Sequence, residues 1–230
     1  MTLPPLKNRL SAAVPFVRKG SFLADIGTDH AYLPITLALT GHIRGAVAAD
    51  IAEKPLAIAS SNIRACGVEN LVSTCLSDGL EKIRPYEPDD ISIFGMGGEM
   101  IVSILDAAPW TKSPDIRLIL GPMTKTSELR DFLSENGYAI LGETLSEDDE
   151  KIYQIICAVY DGKPYSLSPL EKLVGRQNLK NGGERLEKLL VRQENIFRKI
   201  ATGKQCSGTD TTYENAILSE IAQIRKEKSI

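Results

Sequence analysis

A parallel, doubly wound α/β sheet closed by an antiparallel hairpin, with a helical appendage after it, is the fold class this sequence predicts. Three observations predict it. Up to about residue 160, short β-rich runs alternate with helical patterns, the signature of strand and helix units laid side by side in a parallel sheet. The last two strand-like runs are joined by a short acidic link with no helix between them, which makes them antiparallel. Beyond residue 161 only helical periodicity remains.

The elements follow in order. Residues 21–26 are apolar and end in Ala-Asp-Ile-Gly, a strand running into a turn. Residues 31–41 are helical, with Gly41 as the stop. A second strand spans 45–50, and the helix over 53–66 is halted by Gly67. Strands at 71–76 and 90–94, a helix at 99–107, a fifth strand at 116–120 and a helix at 127–135 continue the alternation, the last ended by Asn136-Gly137. Strands at 138–144 and 152–160, linked by 146–151, complete a seven-stranded, Rossmann-like sheet with a terminal antiparallel hairpin. Gly162-Lys163-Pro164 and the stretch 166–169 then punctuate the chain. Helices are expected over 169–180, 183–202 and 211–228. Leu186, Leu189, Leu190, Ile196 and Ile200 form one apolar stripe, and Tyr213, Ile217, Leu218, Ile221 and Ile224 another. The break at 203–210 makes these an antiparallel, coiled-coil-like pair. The expected domains are therefore 1–161 and a small helical domain, 162–230.

The 230 residues, 43% of them apolar and 25% charged, suffice for a sizeable core. A net charge of −3 excludes a uniformly basic nucleic-acid binder, yet the charge is unevenly placed. Residues 1–160 carry fourteen Lys and Arg against twenty-one Asp and Glu, whereas residues 161–230 carry thirteen against nine. Cys66, Cys75, Cys157 and Cys206 make no Cys-x-x-Cys pair, and with only His30 and His42 besides, no zinc site of usual spacing is expected. Scattered cysteines read as reduced cytosolic thiols, Cys75 and Cys157 as buried ones. Without a signal-like start or an apolar run of about 18 residues, the chain reads as cytoplasmic and free of membrane spans.

Ligands of such sheets bind beyond the carboxyl ends of the strands. The first loop there reads Asp25-Ile26-Gly27-Thr28-Asp29-His30-Ala31. Gly27 alone matches a dinucleotide glycine pattern, and Asp29 would repel a pyrophosphate. The same carboxylate suits a cofactor bearing an ammonium and a sulfonium, as S-adenosylmethionine does; a simpler role is to cap the helix that follows. Asp50, at the end of the second strand, can accept ribose hydroxyls or close a turn. Asp78-Gly79 follows the third strand, where the aspartate can accept from an adenine amino group or make a common Asp-Gly turn. Gly95-Met96-Gly97-Gly98 follows the fourth and lets backbone approach something bulky, cofactor or acceptor, or make a tight turn. His30 ranks below Asp29 as a chemical actor, and His42 reads as surface.

Ala-Asp-Ile-Gly-Thr-Asp-His-Ala-Tyr-Leu-Pro-Ile at 24–35 closely resembles the first motif of the TrmK family of tRNA (adenine-N1)-methyltransferases. Ala49-Asp50-Ile51 with Pro55-Leu56, Asp78-Gly79-Leu80, Gly95-Met96-Gly97-Gly98, Leu129-Arg130 and Asn136-Gly137-Tyr138 resemble its later motifs. Gly121-Pro122-Met123 departs from the family's usual Gln-Pro-Asn. The resemblance implies S-adenosylmethionine as donor, N1 of adenosine 22 in tRNA as acceptor, and cofactor contacts from Asp25, Gly27, Thr28, Asp50, Ile51, Asp78, Gly79 and residues 95–98. No metal is implied.

Adenine N1 carries an in-plane lone pair and is itself the nucleophile, so catalysis would be largely positioning. Asp29 is placed to stabilise the developing positive charge, with His30 beside it and Tyr32 as a stacking surface. The base must be unpaired or flipped. Phosphate contacts are expected from Lys7, Arg9, Arg18 and Lys19 and from Arg185, Lys188 and Arg192 on the basic helices, in a monomer or weak dimer. The alternatives are a nicotinamide-dependent oxidoreductase, a methyltransferase acting on another RNA, a small molecule or a protein, and an RNA-binding module without turnover.

Overall fold

The computed structural model describes residues 6–149 and 151–228. A one-turn helix, α1 (Asn8–Ser11), precedes β1 (Phe22–Ile26), α2 (Tyr32–Leu39), β2 (Gly45–Asp50), α3 (Glu53–Ala65) and β3 (Val72–Leu76). Then come β4 (Asp90–Phe94), α4 (Gly98–Asp106), β5 (Arg117–Gly121) and α5 (Thr126–Glu135). The hairpin β6 (Tyr138–Asp148) and β7 (Lys151–Tyr160) closes the sheet, and α6 (Pro169–Val174), α7 (Arg176–Asn181), α8 (Glu184–Cys206) and α9 (Thr212–Lys228) follow.

The seven strands lie in the order β3-β2-β1-β4-β5-β7-β6. The first five are parallel, and β7 runs antiparallel to both β5 and β6. The central strands are buried on both faces, so β4 reads Asp-Ile-Ser-Ile-Phe, apolar apart from its first residue and one serine. One core layer, with Leu23, Ile35, Ala48 and Ile63, lies under α2 and α3; the other, with Ile91, Ile101, Leu129 and Leu133, lies under α4 and α5. The chain leaves β1 toward β2 on one side, while β4 lies on the other. The crevice beyond β1 and β4 is therefore the switch point where such sheets bind ligands.

The hairpin is longer than expected. Strand pairing runs through the acidic link to Asp148 and resumes at Lys151. Leu145 and Ile152 explain this, because both pack on the apolar faces of the C-terminal helices. The expected helix over 169–180 is also corrected: it breaks into α6 and α7 at Gly175, whose φ is 96°. The carboxylate of Glu143 fills the space where a Cβ at Gly175 would stand. That carboxylate pairs with Arg130, both side chains at 0% exposure. Arg130 also donates to Gln154 Oε1 at 2.8 Å and to the carbonyls of Lys172 and Val174. A fully satisfied buried charge pair thus ties α5, the hairpin, α6 and α7 together.

α8 runs past Gly203 to Cys206 before turning, later than expected. It packs antiparallel on α9 through Lys204 to Glu214 and through Arg225 to Glu187 and Glu194. Cys157 is buried as expected, whereas Cys75 is only half-buried. His42 is not plain surface, since its Nε2 donates to the Val17 carbonyl at 2.9 Å. α1 lacks any periodic signal in the sequence.

Candidate active site

A cavity of about 680 Å³ opens at the switch point. Its wall brings together Asp25, Gly27, Thr28, Asp29, His30 and Tyr32 of the first loop with Asp50, Gly95 and Met96, all of them expected there.

Asp25 is next to last in β1 and 7% exposed. It stands in register with Ser92 of β4, whose Oγ donates to Asp25 Oδ1 at 2.6 Å. Burial pushes its carboxyl above the ordinary carboxylate range, against the opposing effect of the Ser92 and Thr28 hydroxyls. The chain then turns at Gly27, φ 73°, where a Cβ would strike the Met96 side chain. Ala31 also takes a left-handed φ of 56°, a conformation that costs a residue with a Cβ about 1 kcal/mol or more. α2 receives no side-chain cap. Asp29 therefore does not serve as its cap; its side chain is 78% exposed, with Oδ2 3.2 Å from His30 Nε2. The His30 ring lies 5.1 Å from that of Tyr32.

Asp50 ends β2, and its Oδ1 accepts from the Ala52 amide at 2.9 Å. It closes a turn with one oxygen and leaves the other without a hydrogen-bond partner among the described residues. Ile51, beside it, is 66% exposed. Asp78 and Gly79 line a second cavity of about 490 Å³, shared with Met100 and Ile104. The Ser77 hydroxyl shapes that loop by donating to the Gly79 carbonyl and accepting from the Lys82 amide.

The glycines after β4 have a cause the sequence did not reveal. A Cβ at Gly98 would collide with the Lys125 carbonyl, and one at Gly97 would stand 3.0 Å from Thr124 Oγ1. The Gly98 amide donates to the Thr124 carbonyl at 2.7 Å and the Met123 amide to the Met96 carbonyl at 2.8 Å. Close approach is thus to the loop after β5. Gly95, φ 79°, has open space where a Cβ would lie. Gly121 is accounted for in the same way: Phe94 is its cross-strand partner, and the Phe94 ring occupies the place a side chain at 121 would need.

Among the residues expected to touch RNA, Lys7 and Arg9 line the main cavity. Arg18 does not join them. Its backbone amide and Nε both bind the fully buried Asp90 carboxylate at 2.7 Å, at the amino ends of the strands and opposite the cavity. That ion pair corrects its expected role. Lys19 is exposed at the same end, just before β1. Arg185 and Arg192 are exposed on α8, whereas Lys188 is held by Glu147 and Glu184. Ser92 and Phe94 were missed; a lone serine in an otherwise apolar buried strand was the available signal.

The donor set fits an adenosyl cofactor with a cationic tail. Two carboxylates stand at the ends of β1 and β2 and a third in the loop between them, and His30 Nδ1 is buried without a hydrogen-bond partner. Among the described residues, no group of three or more His, Cys, Asp or Glu is placed to hold a metal ion, and no helix is long and apolar enough to cross a membrane.

Residues 6–156 match a family model described as a methyltransferase domain. The chain is 35% identical over 164 residues to the tRNA (adenine(22)-N(1))-methyltransferase of Bacillus subtilis, covering 68% of this chain and 69% of that one. The crystal structure of the B. subtilis m1A22 tRNA methyltransferase TrmK superposes with a TM-score of 0.81 at 31% identity, over 97% of this chain and 98% of that one. The M. capricolum TrmK in complex with S-adenosyl-homocysteine gives 0.76 at 29% identity, again over 97% and 98%.

Proposed function

The chain belongs to the family of tRNA (adenine(22)-N(1))-methyltransferases, and from that premise we propose that it methylates N1 of adenosine 22 in tRNA, with S-adenosylmethionine as donor. The observation that carries the reading is the switch-point cavity with Asp25, Asp29 and Asp50 in one wall. The carboxylates there suit a cationic donor, and Asp29, at a position where a dinucleotide loop brings backbone to the phosphates, would repel a nicotinamide pyrophosphate.

The cofactor supplies an electrophilic methyl group carried on a sulfonium. In this reading the remaining work falls to the chain's own residues. Asp25 accepts from the cofactor's ammonium, and the free oxygen of Asp50 accepts from the ribose, beside Ile51. Gly27, Thr28 and the loop of Gly95, Met96, Gly97 and Gly98 shape the space with backbone. Asp78 and Gly79 take the adenine edge. The acceptor nitrogen attacks with its own lone pair, so no strong base is needed. Asp29, held by His30, faces the positive charge that grows on the acceptor ring, and Tyr32 offers an aromatic face. The base reaches the cavity only when flipped from its stack.

Residues 1–161 form the cofactor-binding part in this reading. Residues 162–230 present Arg185, Arg192 and, less freely, Lys188 to the RNA backbone, and Lys7 and Arg9 add contacts from the N-terminal segment, whereas Lys19 lies at the opposite end of the strands. The enzyme acts in the cytoplasm as a monomer or weak dimer. The test is calorimetry with S-adenosylhomocysteine and NAD, followed by methyl transfer to tRNA bearing adenosine or guanosine at position 22. Binding of the first ligand and transfer to the adenosine form alone are expected. NAD binding, or equal labelling of both tRNAs, overturns the reading.

A further inference from the structure

The cavity sorts its charges by side. Its carboxylates belong to the ends of β1 and β2 and the loop between them, whereas Lys7 and Arg9 come from the segment that forms α1. Arg9 sits on the β5 and β7 side. Its guanidinium carbon stands 5.8 Å from the centroid of the Tyr153 ring, and an Nη lies 3.3 Å from Met123 Sδ. Its Nε is buried and has no hydrogen-bond partner. Neither Arg9 nor Lys7 forms an ion pair among the described residues, while Arg176, Arg198, Lys204 and Arg225 of the helical region are all paired with glutamates. α1 is fixed in place by Asn8, whose side chain donates to the Glu147 carbonyl at 2.8 Å.

A half-buried guanidinium with a buried, unanswered N–H and no counter-charge is costly. Holding it against a ring and a thioether keeps it in position without committing it to an acid. A guanidinium in that state matches an anion with paired oxygens. The acidic wall opposite would repel such an anion, so it can enter only on the Arg9 side.

We propose that Arg9, with Lys7 beside it, receives a phosphate of the very nucleotide whose base is methylated. The inference rests on the RNA reading above and narrows it: these two cations act inside the reaction cavity, apart from the RNA surface of α8. A base flipped into the cavity carries its own phosphodiester with it. The two walls then sort the two substrates, the cationic donor to the carboxylates and the anionic acceptor to Arg9.

The test is a cycle between protein and RNA. Wild type, Arg9→Gln and Arg9→Lys are assayed by single-turnover methyl transfer on tRNA with native phosphates or with uncharged methylphosphonates flanking the target nucleotide. S-adenosylhomocysteine affinity and thermal unfolding are measured alongside. Wild type should lose about tenfold to a hundredfold on the methylphosphonate RNA, and Arg9→Gln should be slow on both RNAs with no further loss. Arg9→Lys should recover part of the rate, with S-adenosylhomocysteine affinity unchanged. Equal methylphosphonate penalties in wild type and Arg9→Gln overturn the proposal. So does loss of S-adenosylhomocysteine by Arg9→Gln with tRNA affinity intact, which would give Arg9 to the donor's carboxylate. If wild type transfers no methyl to native tRNA, the functional reading itself fails and takes the proposal with it.

Discussion

Asp25 shows what the site asks of a single residue. Buried beside Ser92, its carboxyl is held above the ordinary range by burial, against the two hydroxyls. The folded protein therefore keeps this proton more tightly than the unfolded chain does. The stability it contributes is full below the ordinary carboxylate pKa and is lost as pH rises through the higher folded value. Asp25→Asn retains an acceptor for Ser92 and should stabilise the ligand-free protein at neutral pH by about 1 kcal/mol. The gain should vanish in acid, as thermal unfolding across pH would show; a pH-independent gain would mean that burial of charge is not its cause. The same variant should weaken S-adenosylmethionine binding about tenfold, and wild-type affinity should rise as Asp25 ionises. Asp29→Ala should slow single-turnover transfer by about tenfold, less than for a buried group because water screens it. Phe94 and Gly121 make a second residue-scale test. Gly121→Ala should cost about 1–3 kcal/mol by crowding the ring, and Phe94→Ala about 3–5 kcal/mol by emptying its site. The double variant should cost less than the sum in urea denaturation, because each change relieves the other.

At the scale of elements, the hairpin and the helices it carries are where pattern reading fell short. Strands β1, β2, β4 and β5 were legible because burial on both faces leaves apolar runs between turn residues, and the edge strand β3 because turn residues and β-branched residues mark it out. The hairpin tips were not, because Ser146 to Asp148 look like a polar loop until Leu145 and Ile152 are seen on the helices. The break between α6 and α7 was invisible for a related reason: Gly175 is required by Glu143, a residue distant in sequence. Arg130 lies within a matching motif, yet its burial at 0% depends on partners from β6, β7 and α6. Removing one member of this pair leaves the other as an unpaired buried charge. Arg130→Ala or Glu143→Ala should each cost about 3–5 kcal/mol, and replacing both should cost clearly less than the two together. A purely additive pair in urea titrations would show that the ion pair does not couple these elements.

For the whole molecule, the uneven charge seen in the sequence acquires a more exact meaning. After residue 160, Arg176, Arg198, Lys204 and Arg225 are each paired with glutamates of the helical region, so the basic excess does not form a uniform face. Exposed cations remain at Arg185 and Arg192. Reversing those two signs should lower tRNA affinity and flatten its dependence on salt, whereas reversing Lys188 should do less, since Glu147 and Glu184 already hold it. Unchanged affinity after reversing Arg185 and Arg192 would leave α8 without a role in RNA binding. The first loop was the most legible part of the site because its acidic residues contradict a pyrophosphate pattern within a few positions. The position of Arg9 was not, since only the folded N-terminal segment carries it into the cavity. The proposed function has this cavity join a cationic methyl donor to a flipped adenosine. Transfer of labelled methyl from S-adenosylmethionine to unmodified bulk tRNA, with the modified base mapped, tests it most directly. Label confined to N1 of adenosine 22 is the predicted result; label at another atom or nucleotide, or consumption of the cofactor with none in tRNA, would contradict it.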